Sequence, residues 1–147
     1  MGGTSGRAAL GSVVKRYCRA RLGTVRGVAR ADRLATAVVA QVAGDDDSPF
    51  DRKAYRAAAR AVDDVLAFPE PGRRPAASAP AATSAARLAA AVEDLPAPVR
   101  DVIVLRTFVG LSREEVARAL GVSDLTVLRR QHEALRILRV EDVAGAP

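Results

Sequence analysis

Cysteine, histidine and aromatic residues are nearly absent from this chain, and each scarcity removes a class of function. A single cysteine cannot form an internal disulfide, which points to a reducing compartment. One histidine, His132, joined to that lone thiol and to no ligand spacing, offers neither a zinc site nor a nucleophile with its base. A Gly-rich loop able to cradle nucleotide phosphates is also missing. No enzyme activity, cofactor or metal is therefore expected. Aromatics make up 3% of the residues, so a core must be assembled from Ala, Val and Leu, which favours helices packed closely on small side chains. No apolar run approaches membrane-spanning length and the N-terminus lacks a signal-peptide apolar region. The expectation is a soluble, cytoplasmic protein without membrane insertion.

Positive charge is in excess, at a formal +6, and a basic chain suggests a polyanionic partner. The excess lies mainly in residues 1–68, whereas 85–147 balance to zero. Between them, residues 69–84 read PEPGRRPAASAPAATS, a Pro/Ala-rich stretch of linker composition. The fold class expected is all-α, as two small helical domains over 7–68 and 85–140 joined by that linker. In the first, Leu10, Val13, Val14, Tyr17 and Cys18 repeat at the spacing of one buried face, within a helix from Arg7 to Leu22 that Gly23 closes. Lys15, Arg16, Arg19 and Arg21 decorate its remainder, and Thr24–Arg30 is loop or irregular helix. Ala31–Ala43 forms a second helix. The turn Gly44–Pro49 leads to a third, with Pro49 in its first turn and its end near Phe68. The three aspartates at 45–47 lack calcium-loop spacing and read as a solvated turn.

The densest information lies in Leu95–Arg139. Ser112 and Glu115 stand at capping-box spacing, Val116 and Leu120 continue an apolar stripe, and Gly121 sits where a left-handed residue ends a helix. Ser123 is a fresh N-cap, and Asp124 complements the positive end of the next helix dipole. Two capped helices about a glycine turn make a helix-turn-helix, whose second helix enters a DNA major groove. Preceding helices from Ala85 and from Pro98 complete a four-helix unit, with Leu88, Val99, Val102, Ile103, Leu105, Phe108 and Val109 as apolar positions. On the second helix, Val127, Leu128, Gln131, Ala134, Leu135 and Leu138 form the inner side, and His132 falls beside it. Thr126, Arg129, Arg130, Glu133, Arg136 and Ile137 face outward, so the arginines can meet phosphates or guanine edges. The tail after Val140 reads as loose.

The segment LP-x-x-V-R-D-V-I-V-L-R-x-F-x-G-L-S-x-E-E-V-A-x-A-L-G-V-S-x-x-T-V resembles the C-terminal promoter-binding domain of bacterial sigma factors, closest to the two-domain, extracytoplasmic-function type. Gln131-His132-Glu133-Ala134-Leu135 is similar to a subgroup ending in Gln-His-x-Ala-Leu. Fainter similarity continues upstream. Arg16–Arg21 resembles the first helix of the polymerase-binding domain, Ala31-Asp32 with Val38 its polymerase-clamp helix, and Pro49-Phe50, Tyr55, Ala58, Ala59, Val62 and Asp64 its start-proximal promoter segment.

The resemblance implies a sigma factor that directs RNA polymerase to promoters, with promoter DNA and core RNA polymerase as partners and room for an anti-sigma factor. DNA contacts would come from Ser112, Ser123, Thr126, Arg129, Arg130, Glu133 and Arg136, and from Lys53, Arg56 and Arg60 near the start site. Polymerase contacts would come from Asp32, Ala35, Val38 and Val39. The alternative is a degenerate sigma-like regulator that binds polymerase or another regulator without initiating. It is motivated by Arg33, Thr36 and Ala37 where the clamp helix is usually acidic or carries glutamine, and by Lys53 where an aromatic is common.

Overall fold

The computed structural model of the protein describes residues 3–42, 50–68 and 84–144. Among the described residues all regular structure is helical: α1 (Gly3–Arg26), α2 (Val28–Val42), α3 (Arg52–Ala67), α4 (Ser84–Asp94), α5 (Ala97–Ile103), a π turn (Val104–Phe108), α6 (Arg113–Leu120) and α7 (Asp124–Ala144). The all-α class follows from the sequence as expected. The Gly44–Pro49 turn with its aspartates, and residues 69–83 of the linker, lie outside the described residues.

Several boundaries move for identifiable reasons. α1 runs through Gly23, and ends where Gly27 adopts φ 87°, a conformation open to glycine without steric cost. Ala31 N then donates to Gly27 O at 3.2 Å as α2 begins, so the basic stretch 24–30 is one helix end and the next helix start. α3 is capped by Asp51, whose carboxylate accepts from Ala54 N at 2.9 Å, and so starts after Pro49 rather than on it. Phe50, just before the cap, packs edge-on against Tyr55 with ring centroids 6.4 Å apart, the contact of a hydrophobic staple. α7 continues through Ala144, beyond Val140 where the sequence suggests a loose tail.

The buried residues form one cluster that runs through all the helices. From α1 it takes Leu10, Val14, Tyr17, Cys18 and Leu22; from α3, Ala54, Tyr55, Ala58 and Val62; from the later helices, Val102–Leu105, Val116, Val127 and Ala134. Leu88 and Phe108, expected inside, are exposed. Burial pushes the Cys18 thiol up to about 11, which keeps it protonated and unreactive at neutral pH.

The largest departure from the expected surface is Arg21, only 2% exposed. Residue 21 continues the 14, 17, 18 stripe at helical period, so the buried face of α1 carries a cation. Its Nε donates to Glu93 of α4 at 2.8 Å, Nη1 to the Tyr17 hydroxyl at 3.0 Å and Nη2 to Asp63 of α3 at 3.3 Å. Burial opposes its charge, but Tyr17 and Glu93 more than offset that and raise its pKa. Beside it, the Tyr17 and Tyr55 rings meet edge to face at 5.9 Å, a geometry worth about 0.5–1.5 kcal/mol beyond the buried area.

Tyr55 also interacts electrostatically with the Asp101 carboxyl of α5. Burial raises the Asp101 pKa, against the opposing pull of Tyr55, Arg100 and Arg21. A raised carboxyl binds its proton more tightly in the folded chain, so its contribution falls as pH climbs above the ordinary carboxylate value of about 3.9. Asparagine has nearly the same shape and stays neutral. In urea unfolding, Asp101→Asn is expected to be more stable than wild type at pH 7, with the lead shrinking toward about pH 4. A wild-type lead at pH 7 would contradict this sign.

Candidate nucleic-acid interface

The α6–α7 pair is aimed by the segment before it. Pro96 and Pro98 start α5 where missing amide protons cost nothing, and Val99, Val102 and Ile103 bury one side of it. The ladder then slips by one residue, so that Val109 N donates to Val104 O at 3.0 Å, a π-type bond. Leu111 N closes on Leu105 O at 3.0 Å, with Gly110 at φ 82° making the turn. Leu105 is fully buried, and Arg106 Nη1 donates to Leu111 O at 2.7 Å while its Nε reaches Gln131 of α7 at 3.5 Å. The Leu105-Arg106 pair thus anchors the core and ties the turn to the second helix. Gln131, polar within an apolar face, is the acceptor.

α6 opens with both halves of the capping box: Glu115 N donates to Ser112 Oγ at 3.1 Å, and Ser112 N to the Glu115 carboxylate at 2.6 Å. It ends at Gly121, in the left-handed region at φ 66°. Ser123 caps α7, accepting from Thr126 N at 3.2 Å and sharing a 2.9 Å bond with Thr126 Oγ1. Arg113 of α6 reaches the Asp124 carboxylate at 3.4 Å, which fixes the two helices at their open end. Val116, Ala117, Val127 and Ala134 fill the space between them and the core.

α7 is rotated from the expected inner and outer sides by somewhat less than one residue's turn. Val127 and Ala134 are fully buried, and Ile137, expected outside, packs against the core with Leu138. Leu135, expected inside, is exposed. His132 and Glu133 face outward together with Arg129 and Arg136, whereas Thr126 and Arg130 are half-buried. Leu125 is 74% exposed in the first turn; the sequence pattern hides it, because an apolar residue in an amphipathic helix counts toward the core. It shares an open concavity with Thr126, Leu128, Arg129 and His132.

Lys53, Arg56 and Arg60 are all exposed on α3, at spacings that bring them to one face. In α2 the outcome is different. Ala35 and Val38 were expected to meet polymerase, but at 3% and 2% exposure they belong to this chain's own core and have no surface to offer in this fold. Asp32 is engaged by Arg19 through two 2.7 Å bonds and by Lys15 at 3.7 Å. The Arg19 hydrogen bond holds its carboxyl below the usual value. Val39 is half-buried and lines a shallow hollow with Arg7, Lys15 and Thr36.

The geometry defines a helix-turn-helix DNA-binding module, and the family model described as sigma-70, region 4, matches it over residues 85–138. The chain is 37% identical over 155 residues to the ECF RNA polymerase sigma factor SigD of Mycobacterium tuberculosis (strain ATCC 25618 / H37Rv), the match covering 90% of this chain and 73% of that one. The protein of that name in Mycobacterium bovis (strain ATCC BAA-935 / AF2122/97) matches to the same extent. CnrH, in its structure in complex with the cytosolic domain of CnrY, shares the fold with a TM-score of 0.62 at 24% identity, over 95% of this chain and 83% of that one. The chain belongs to the extracytoplasmic-function (ECF) RNA polymerase sigma factors. It directs transcription initiation, with promoter DNA and core RNA polymerase as partners, and the degenerate-regulator alternative is not favoured. The family is not a class of catalysts, and no helix among the described residues is long and apolar enough to cross a membrane.

Gly121 joins the halves as well as ending α6. A Cβ there would lie 3.0 Å from Arg52 Nε of α3, and its φ already disfavours any side chain. Left-handed backbone costs an L-residue about 1–2 kcal/mol, so thermal unfolding of Gly121→Ala should register a loss of that size. The loss should persist in an Arg52→Ala background, since removing the arginine leaves φ unchanged. An unaltered melting temperature in both backgrounds would refute the assignment.

Proposed function

We propose that the chain works as two units, 7–68 and 85–140, joined through 69–84, which place two basic helix faces on one promoter. In the second unit Arg129 and Arg136, with half-buried Arg130 and Thr126, hold the upstream element. Glu133 accepts from a base amino group, the one role on that face suited to a carboxylate. Ser112 and Ser123 present their helix N-termini to phosphates. In the first unit Lys53, Arg56 and Arg60 follow the backbone near the start site. Asp32 and Val39 are the residues of the clamp helix left to meet polymerase. The observation that carries this reading is the outward clustering of Arg129 and Arg136 on a capped second helix whose inner side is fully packed.

The protein acts by binding and positioning in the cytoplasm, and its residues perform no covalent chemistry. Because CnrH was solved with a bound cytosolic domain of CnrY, an anti-sigma partner that occupies the same helical body is part of this proposal. Promoter affinity should be measured against salt with the chain assembled on core polymerase. Arg129→Ala, Arg136→Ala and Arg56→Ala each remove a guanidinium from a phosphate, and each should flatten the log–log slope by about 1. Slopes unchanged in all three variants would overturn the DNA-facing assignment.

A further inference from the structure

Leu125 is an apolar side chain left in water at the end of the helix that a helix-turn-helix aims at base edges. It is 74% exposed, two residues after the Ser123 cap. It shares one concave surface with Leu128, Arg129, Thr126 and His132, so an apolar contact area adjoins a cation. The major groove presents one apolar feature along its floor, the C5-methyl of thymine. We infer that Leu125, backed by Leu128, is a specificity-determining residue that reads a thymine methyl in the upstream promoter element. Arg129 on the same surface engages the neighbouring phosphate or guanine edge. This rests on the reading that α7 faces DNA.

The charge around the patch selects the occupant. Arg129 and Arg136 lie on the same side of α7 as Leu125, and both are exposed. A polyanion satisfies these cations while its base edges meet the leucine. An apolar protein surface laid here would strip water from two guanidinium groups and would have to supply carboxylates for both. Neither leucine serves the packing of the fold, since the inner side of α7 is closed by Val127 and Ala134.

The test uses the full chain assembled on core polymerase to select bound duplexes from a library randomised across the upstream element. Each thymine of the selected element is then replaced singly by deoxyuridine, which removes only the methyl group. At one position wild type should lose about fourfold in affinity, the value of one buried methyl-sized group. Leu125→Ala, a surface change that leaves the core intact, should bind the thymine and deoxyuridine duplexes equally. Arg129→Ala should weaken both duplexes and preserve their ratio. No methyl-sensitive thymine in the wild-type selection, or sensitivity that survives in Leu125→Ala, overturns the inference while the Arg129 effect keeps the DNA-facing reading intact. Failure to select any sequence, with Arg129→Ala binding unchanged, overturns both. Loss of polymerase co-elution in Leu125→Ala, with the thymine preference retained, would assign the leucine to a protein contact and likewise overturn it.

Discussion

The packing of this protein depends on a guanidinium held inside it. Arg21 stands at the junction of α1, α3 and α4, where its three nitrogens reach Tyr17, Asp63 and Glu93. A cation so enclosed is tolerable only when its donors are matched, because leaving one charge unpaired in a buried site costs far more than a neutral mismatch. The matching groups are contributed by elements far apart in the chain, so satisfying Arg21 requires the early and late helices to meet. The Tyr17–Tyr55–Phe50 aromatic row runs alongside it. Although the protein has few aromatics, it places three of them at this junction. Bulky, directional side chains are used where orientation matters, and Ala and Val fill the remainder.

The helix-turn-helix depends on a second set of polar ties, made mainly by short-range bonds. Capping at Ser112 and Ser123 and the left-handed Gly121 settle where each helix begins and ends. The angle of the pair against the body is set instead by Arg106, which spans Leu111 and Gln131. Local signals define the two helices, and one long side chain orients them. That division leaves the outward face of α7 free of structural duties.

Much of this was legible in the residues, for a physical reason: caps, breakers and periodicity are local. The Ser112–Glu115 box, Gly121, the proline start of α5 and the α1 stripe could all be read directly. Boundaries governed by competition between neighbours were less visible. Gly23 stays helical because Gly27 is free to turn, and Asp51 outcompetes Pro49 as the start of α3. Tertiary facts were hidden almost entirely. The wheel alone did not distinguish Arg21 as buried from Arg19 as exposed, although residue 21 lay on the apolar stripe. Ala35 and Val38 looked available for a partner although α1 and α3, the helices that cover them, flank α2 in the chain, because periodicity shows that a face is apolar and not what it meets. A modest rotation of α7 exchanged Ile137 for Leu135 and brought His132 to the front.

The π turn at Val104–Phe108 makes chain length a structural variable. It is one surplus residue accommodated in a helical ladder, and the surplus lets Leu105, Val109 and Leu111 all reach the interior. Substitutions on the exposed Thr107 and Phe108 leave that count intact. Deleting one residue between 104 and 109 would return the ladder to ordinary helical bonding with the downstream faces near their present directions, whereas inserting one more would turn them by about 100°. This short segment therefore tolerates the loss of its surplus residue better than the gain of another, and works as slack between the core and the α6–α7 pair.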